Sequence, residues 1–211
     1  MQIYGNILDA SMAGGVFVNG GGNVTVHNNI ILNGRTSQLL VYSYNRPLSH
    51  GCPASKITNN ILSMHNTETD AQRTGTAPDG SKQMFEGGGV RFFGGFFMSP
   101  TAHTTGTCST TSVLSSVDNN VFWNPALGAA GTASRGLFGS VGVPVMTLKQ
   151  WQANALTGIA PDAHSVVADP QFEDAAAGNF RLKASSPALK LGFEQIPPIV
   201  APEAGAGSIC I

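Results

Sequence analysis

At 211 residues with 42% apolar side chains, the chain can bury one sizeable core, so one domain or one extended repeat array is expected. Eleven Lys and Arg against twelve Asp and Glu give a net charge of −1, which leaves no basic footprint for nucleic acid and no polybasic membrane patch. Only 11% of residues are charged while 26 are Gly, a balance that favours turns and β-structure and argues against intrinsic disorder.

Residues 1–10 (MQIYGNILDA) lack the basic start and apolar stretch of an export signal, and no run approaches the length of a membrane span. They open a repeat instead. MQIYGNI (1–7) recurs as VTVHNNI (24–30), SKITNNI (55–61) and SSVDNNV (115–121), each an apolar residue, a variable residue, Asn-Asn or Gly-Asn, and another apolar residue. Between these lies a second column, GGVFVNGG (14–21) against GGVRFFGG (88–95), with QLLVYSY (38–44) as a weaker member. The alternation of two motifs predicts an all-β, right-handed parallel β-helix of three-strand coils over residues 1–146. Long loops are expected to leave it at about 64–87 and 97–112, on either side of a strand at Val90 to Phe93. The first residues already fit the repeat, so earlier coils and an export signal are expected upstream of Met1.

The Asn pairs have a physical task in such a stack. Asn tolerates the left-handed backbone of a sharp corner, and stacked Asn side chains hydrogen-bond from layer to layer. Asn28, Asn59 and Asn119 are expected in one such ladder, with Gly5 taking the same corner. Beyond the repeat, residues 147–156 (TLKQWQANAL) place Leu148, Trp151 and Leu156 on roughly one face behind Thr147 as N-cap, the one helix expected. The helix and an extended capping segment make up residues 147–196, and 197–211 (PPIVAPEAGAGSICI, from 197) are expected as a flexible tail. Cys52, Cys108 and Cys210 lack metal-ligand spacing, and an odd count cannot pair completely within the chain.

The closing motifs carry a more particular likeness. VDNNVFWN (117–124), TLKQWQ (147–152), HSVVADPQF (164–172) and GNFRLKASSPALKLGF (178–193) resemble, in that order, the C-terminal part of secreted bacterial β-helix proteins related to glycoside hydrolase family 141. The resemblance implies a secreted, carbohydrate-active β-helix, with α-L-fucosidase and xylanase activities known in that family. Physically, Asp169-Pro170 forms a turn, and Phe172, Phe180 and Leu182 are expected to cover the open end of the core.

Strand alternation places Tyr4, His27, Thr58 and Asp118 outside, one per coil, in a polar column. The second column adds Phe17, Leu40 and Arg91, then Asn19, Tyr42 and Phe93. Aromatic groups beside polar ones suit a sugar-binding face, so Tyr4, His27, Tyr42, Arg91 and Phe93 are the substrate-binding candidates. A glycosidase uses two carboxylates, about 5–5.5 Å apart for retention or about 6.5–9.5 Å for inversion. Asp118, on an outward strand position, and Glu86, on the loop before Gly87, are the catalytic candidates. Asp118 also reads as a turn-stabilising residue, and Glu86 as a solvated loop side chain. Neither a metal site nor an organic cofactor is indicated. The expected activity is glycoside hydrolysis of plant or algal polysaccharide by a monomer, the chain being a C-terminal portion. The competing expectations are a non-catalytic glycan-binding or adhesin module, and a polysaccharide lyase with Arg91 as base. No nucleic acid and no membrane span are expected.

Overall fold

A computed structural model describes residues 1–9, 14–19, 23–33, 37–42, 55–63, 96–99, 114–134, 138–140, 143–153 and 162–197. In chain order they form β1 (Gln2–Tyr4), β2 (Ile7–Leu8), β3 (Gly14–Asn19), β4 (Thr25–His27), β5 (Ile30–Leu32), β6 (Ser37–Tyr42), β7 (Ser55–Thr58) and β8 (Ile61–Ser63). There follow β9 (Phe96–Ser99), β10 (Leu114–Asp118), β11 (Val121–Trp123), α1 (Gly128–Ala133), β12 (Phe138–Ser140), β13 (Val143–Met146), α2 (Leu148–Gln152), β14 (Val166–Val167), β15 (Phe172–Asp174), β16 (Asn179–Leu182) and α3 (Pro187–Lys190).

Three open sheets result. The first runs β1-β4-β7-β10, the second β2-β5-β8-β11-β14, and the third β3-β6-β9-β12-β13, with β15-β16 a separate antiparallel pair. All pairings in the first two sheets are parallel, whereas β13 returns antiparallel to β12. The expectation of an all-β, right-handed parallel β-helix with a single helix is thereby corrected. No sheet of the described residues closes on itself, and they carry three α-helices. Two of these lie where no helix was expected, for local reasons. In Gly128–Ala133 three Ala offset two Gly, and the buried Thr132 hydroxyl ties the turn by donating to Gly128 O at 2.7 Å and accepting from Asn124 N at 3.2 Å. Ser186 caps Pro187 at the first helical position, its hydroxyl accepting from the Ala188 N–H. The third helix, α2, lies inside the expected 147–156, and Thr147 and Gln150 close a reciprocal capping box at its start.

The third sheet brings a second correction. β6 pairs with Phe96–Ser99, Leu39 opposite Phe96, so residues 97–99 are strand and not loop. The strand expected at Val90 to Phe93 lies outside the described residues. Pairing at Phe96–Ser99 suits the β-prone Phe-Phe-Met run there. At Gly15 the absence of a side chain matters: an added Cβ would sit 2.1 Å from Cγ2 of Ile31, so β3 approaches β5 as only Gly allows.

The sheets meet over a core of Val16, Val26, Ile31, Ile57, Leu62, Val117 and Phe122, extended by Leu148 and Trp151 of α2. The second sheet is buried on both faces. Ile31 and Leu62 point into this core, while Ile30, Leu32, Ile61 and Val121 point away from it and pack against Phe172, Leu182, Ala188 and Phe193. Phe172 and Leu182 therefore do not cover the open end of the stack, as expected; they cover its side. The segment runs back along that side until Glu194 N donates to Asn28 Oδ1 at 2.6 Å and Asn28 Nδ2 to Glu194 O at 3.0 Å. Asn59 Nδ2 reaches Leu191 O at 2.7 Å on the way.

The Asn pairs divide two tasks between them. Gly5, Asn28, Asn59 and Asn119 take positive φ, between 54° and 68°, and turn the corner between the first and second sheets. The ladder runs through the second residue of each pair and not through the first. Asn6 Nδ2 donates to Asn29 Oδ1, Asn29 Nδ2 to Asn60 Oδ1, and Asn60 Nδ2 to Asn120 Oδ1, at 2.9, 3.0 and 3.1 Å. Each of the inner three is fully buried, and its amide also donates to strand carbonyls, as Asn60 does to Val26 O and Thr58 O.

Asn60→Ala should therefore cost about 2–4 kcal/mol, since it strands several buried partners at once, whereas Asn6→Ala at the exposed end should cost under about 1 kcal/mol. Urea unfolding of the two variants checks this; equal losses would mean that the ladder does not hold the layers together.

Candidate functional site

Parallel register lines up Tyr4, His27, Thr58 and Asp118 as one column on the outer face of the first sheet, with Gln2, Thr25, Lys56 and Ser116 as its neighbour. Their strand neighbours Val26, Ile57 and Val117 are buried beneath, and Ile3 is half-buried. Tyr4 is 60% exposed, and its ring stacks on His27 with centroids 5.1 Å apart and planes within 10°.

At the far end the column meets a residue that the sequence did not single out. Asp118 Oδ1 accepts the backbone N–H of Asn119 at 2.9 Å and of His164 at 2.7 Å, and Oδ2 lies 2.6 Å from Nδ1 of the His164 ring. Burial would raise the Asp118 carboxyl, but the His164 side-chain bond and the two backbone N–H groups outweigh it and hold the group below its ordinary value. Asp118 is thus an anion at neutral pH and an acceptor only. That state suits a base or an electrostatic partner and not a general acid.

Behind this pair, the ladder ends on a second carboxylate. Asp162 Oδ1 accepts from Asn120 Nδ2 at 3.0 Å and from the Ser165 hydroxyl, and Oδ2 from Trp151 Nε1 at 2.8 Å. Full burial pushes Asp162 up from 3.8 to about 6; the three donors pull it back, and the charge of Asp118 adds to the rise. Burial prevails over the donors. Being enclosed, Asp162 is a structural terminus and not a second member of a catalytic pair on the outer face.

Of the other candidates, Tyr42 lies in β6 of the third sheet, whereas Tyr4 and His27 lie in the first. Glu86, Arg91 and Phe93 lie outside the described residues. The structure thus brings together Tyr4, His27 and Asp118, adds Lys56 and His164, and leaves Asp118 as the one carboxylate on the outward positions of the four strands. His164 escaped notice because its partner is 46 residues away and no local motif marks it. Lys56 could have been found by extending the outward alternation two residues back from Thr58. Among the described residues there is no cluster of three or more His, Cys, Asp or Glu able to hold a metal, and no helix long and apolar enough to cross a membrane.

No protein-family model, curated protein or solved structure matches the chain.

The burial of Asp162 has a sign that can be worked out. Its folded carboxyl binds a proton at higher pH than the unfolded one, so between about pH 6 and 4 the folded state holds more protons and gains stability as pH falls; the gain is lost as pH rises through about 6. The gap corresponds to about 3 kcal/mol at about 1.4 kcal/mol per pH unit. Asp162→Asn should abolish this slope. Denaturant unfolding of both proteins at pH 4.5 and 7.5 tests it, and parallel pH profiles would show that Asp162 does not titrate in this window.

Proposed function

We propose that the outer face of the first sheet binds glycans, making this a carbohydrate-active protein of the kind the closing motifs imply. The observation that carries the reading is the exposed Tyr4–His27 stack, in register with Thr58 and Asp118 and flanked by Thr25 and Lys56. Paired rings offer apolar surface to the C–H face of a sugar, and the polar residues beside them offer donors and acceptors for its hydroxyls. Three strand spacings along the column span roughly 14 Å, enough for an extended oligosaccharide to contact several layers. A protein with this role would work outside the cell, where polysaccharides are met.

Binding stands ahead of glycoside hydrolysis for a geometric reason. Hydrolysis requires a second carboxylate about 5–9.5 Å from the first. Asp118 has both oxygens engaged, and among the described outward residues of these strands it has no acidic neighbour.

Affinity electrophoresis in gels containing arabinoxylan, fucoidan or polygalacturonate tests the reading. Retardation by at least one polysaccharide is expected, with Tyr4→Ala weakening it roughly five- to tenfold, the scale of a lost ring contact. If no polysaccharide retards the protein, or if Tyr4→Ala and His27→Ala leave the retardation unchanged, this face is not a glycan site.

A further inference from the structure

We propose that His164, held by Asp118, is the group that contacts the glycan at the C-terminal end of this face, and that Asp118 is its positioning residue. The proposal rests on the glycan-binding reading and assigns the contact within it. Exposure sets the two residues apart: the His164 side chain is 72% exposed, that of Asp118 21%. Asp118 has two backbone N–H groups on one oxygen and the imidazole on the other, so its capacity is largely taken up inside the protein. His164 has its Nδ1 engaged and its Nε2 left to solvent.

The chemistry of Nε2 follows from the state of Asp118. An ionised carboxylate can only accept, so the ring nitrogen 2.6 Å from it must carry the hydrogen. In the neutral imidazole this fixes the Nδ1–H tautomer and leaves a lone pair on Nε2, an acceptor for a sugar hydroxyl. The backbone N–H of His164 is bonded to the same carboxylate, so main chain and ring are anchored together. A ring held at two points loses little freedom on binding.

The order of the column shows how a glycan would reach this acceptor. Thr58 is the small residue of the column, lying between His27 on one side and Asp118 on the other. At about 4.8 Å per strand, His27 and Asp118 stand roughly 10 Å apart. Thr58 thus stands between His27 and Asp118 with Lys56 alongside, and His164 lies beyond Asp118, past the edge strand β10, where Asp162 N donates to Val117 O. A neutral oligosaccharide laid along the column would pass the His27 ring, Thr58 and Asp118 and meet Nε2 of His164 at the far end, since Nδ1 is the nitrogen turned back to Asp118. Among the described residues the other carboxylate close by is Asp162, enclosed beneath and turned to Asn120, Ser165 and Trp151.

Imidazole nitrogen shifts of the protein labelled with ¹⁵N-histidine give a readout that a merely structural Asp118 would not move. In its neutral form the His164 ring should carry its hydrogen on Nδ1. In Asp118→Asn the amide can present its N–H₂ to Nδ1 and keep its oxygen for the two backbone N–H groups, so the ring should switch to the Nε2–H form. A xylan oligosaccharide added to the parent protein should shift Nε2, and His164→Ala should weaken retardation by arabinoxylan about tenfold, with Asp118→Asn weakening it less. An Nε2–H ring in the parent protein would overturn the positioning role. A polysaccharide released by Tyr4→Ala but held unchanged by His164→Ala would overturn the contact while leaving the glycan face standing. A protein retarded by no polysaccharide would end both.

Discussion

The buried amide of the second Asn in each repeat is the contact on which the other layers depend. Parallel strands satisfy one another's backbone groups along their length, but each corner leaves carbonyls and N–H groups pointing inward, where water does not follow. Asn60 meets that demand by itself. Its amide nitrogen donates to a carbonyl of its own strand, a carbonyl of the layer before and the oxygen of Asn120, while its own oxygen accepts both N–H groups offered by Asn29. Because each Asn donates in the same direction, the row is a chain of polarised bonds with an open acceptor at Asn6 and a terminus at the other end. Asp162 is that terminus. A carboxylate takes the last donor without offering one of its own, so the row stops there and α2 closes over it through Trp151.

The second sheet imposes the other constraint. In a sheet with one wet face, strands alternate; here β5 reads Ile-Ile-Leu and β11 Val-Phe-Trp, apolar on consecutive positions, which requires cover on both sides. Fully burying such side chains is worth about 1.5–3 kcal/mol each. That gain fixes the course of residues 172–196 along the side of the stack, because the core already occupies the inner face. The Asn28 and Asn59 side chains then serve twice, since the corner that needs their left-handed backbone also aims their amides at Glu194 and Leu191.

Much of the local order was legible in the sequence, and the reasons for the failures are physical. The Asn-Asn repeat marked the corners, the short strands after them and the outward column from Tyr4 to Asp118, because period-two alternation and left-handed turns are local properties. The assignment of the ladder to Asn28, Asn59 and Asn119 failed because both members of each pair are Asn, and only geometry separates the residue that bends the chain from the one that bonds across it. The fold class failed because the sheets of the described residues stay open, β13 turns back antiparallel to β12, and helices of four and six residues form where no period marks them. The side-covering course of the C-terminal segment could have been suspected from the doubly apolar strands. His164 could not, since nothing in PDAHS announces a partner at Asp118.

That last residue shows how closely the candidate site and the fold are bound together. Residues 162–165 face two ways: Asp162 and Ser165 at the ends are buried, while Ala163 and His164 between them are exposed. The buried pair closes the core by taking the final donors of the corner, Asn120 Nδ2 at Asp162 and Asn120 N at Ser165. The backbone that does this is also tied to β10 by Asp162 N, which donates to Val117 O at 2.6 Å. His164 is delivered to Asp118 by those anchors and does not need to find it by searching rotamers. The same four residues thus terminate a ladder that begins at Asn6 and set the ring that ends a column beginning at Tyr4. A lesion in the buried row would reach the surface through them: loosening Asp162 frees the segment that carries His164, and Asp118 is then left with a solvated carboxylate where it now has a fixed partner.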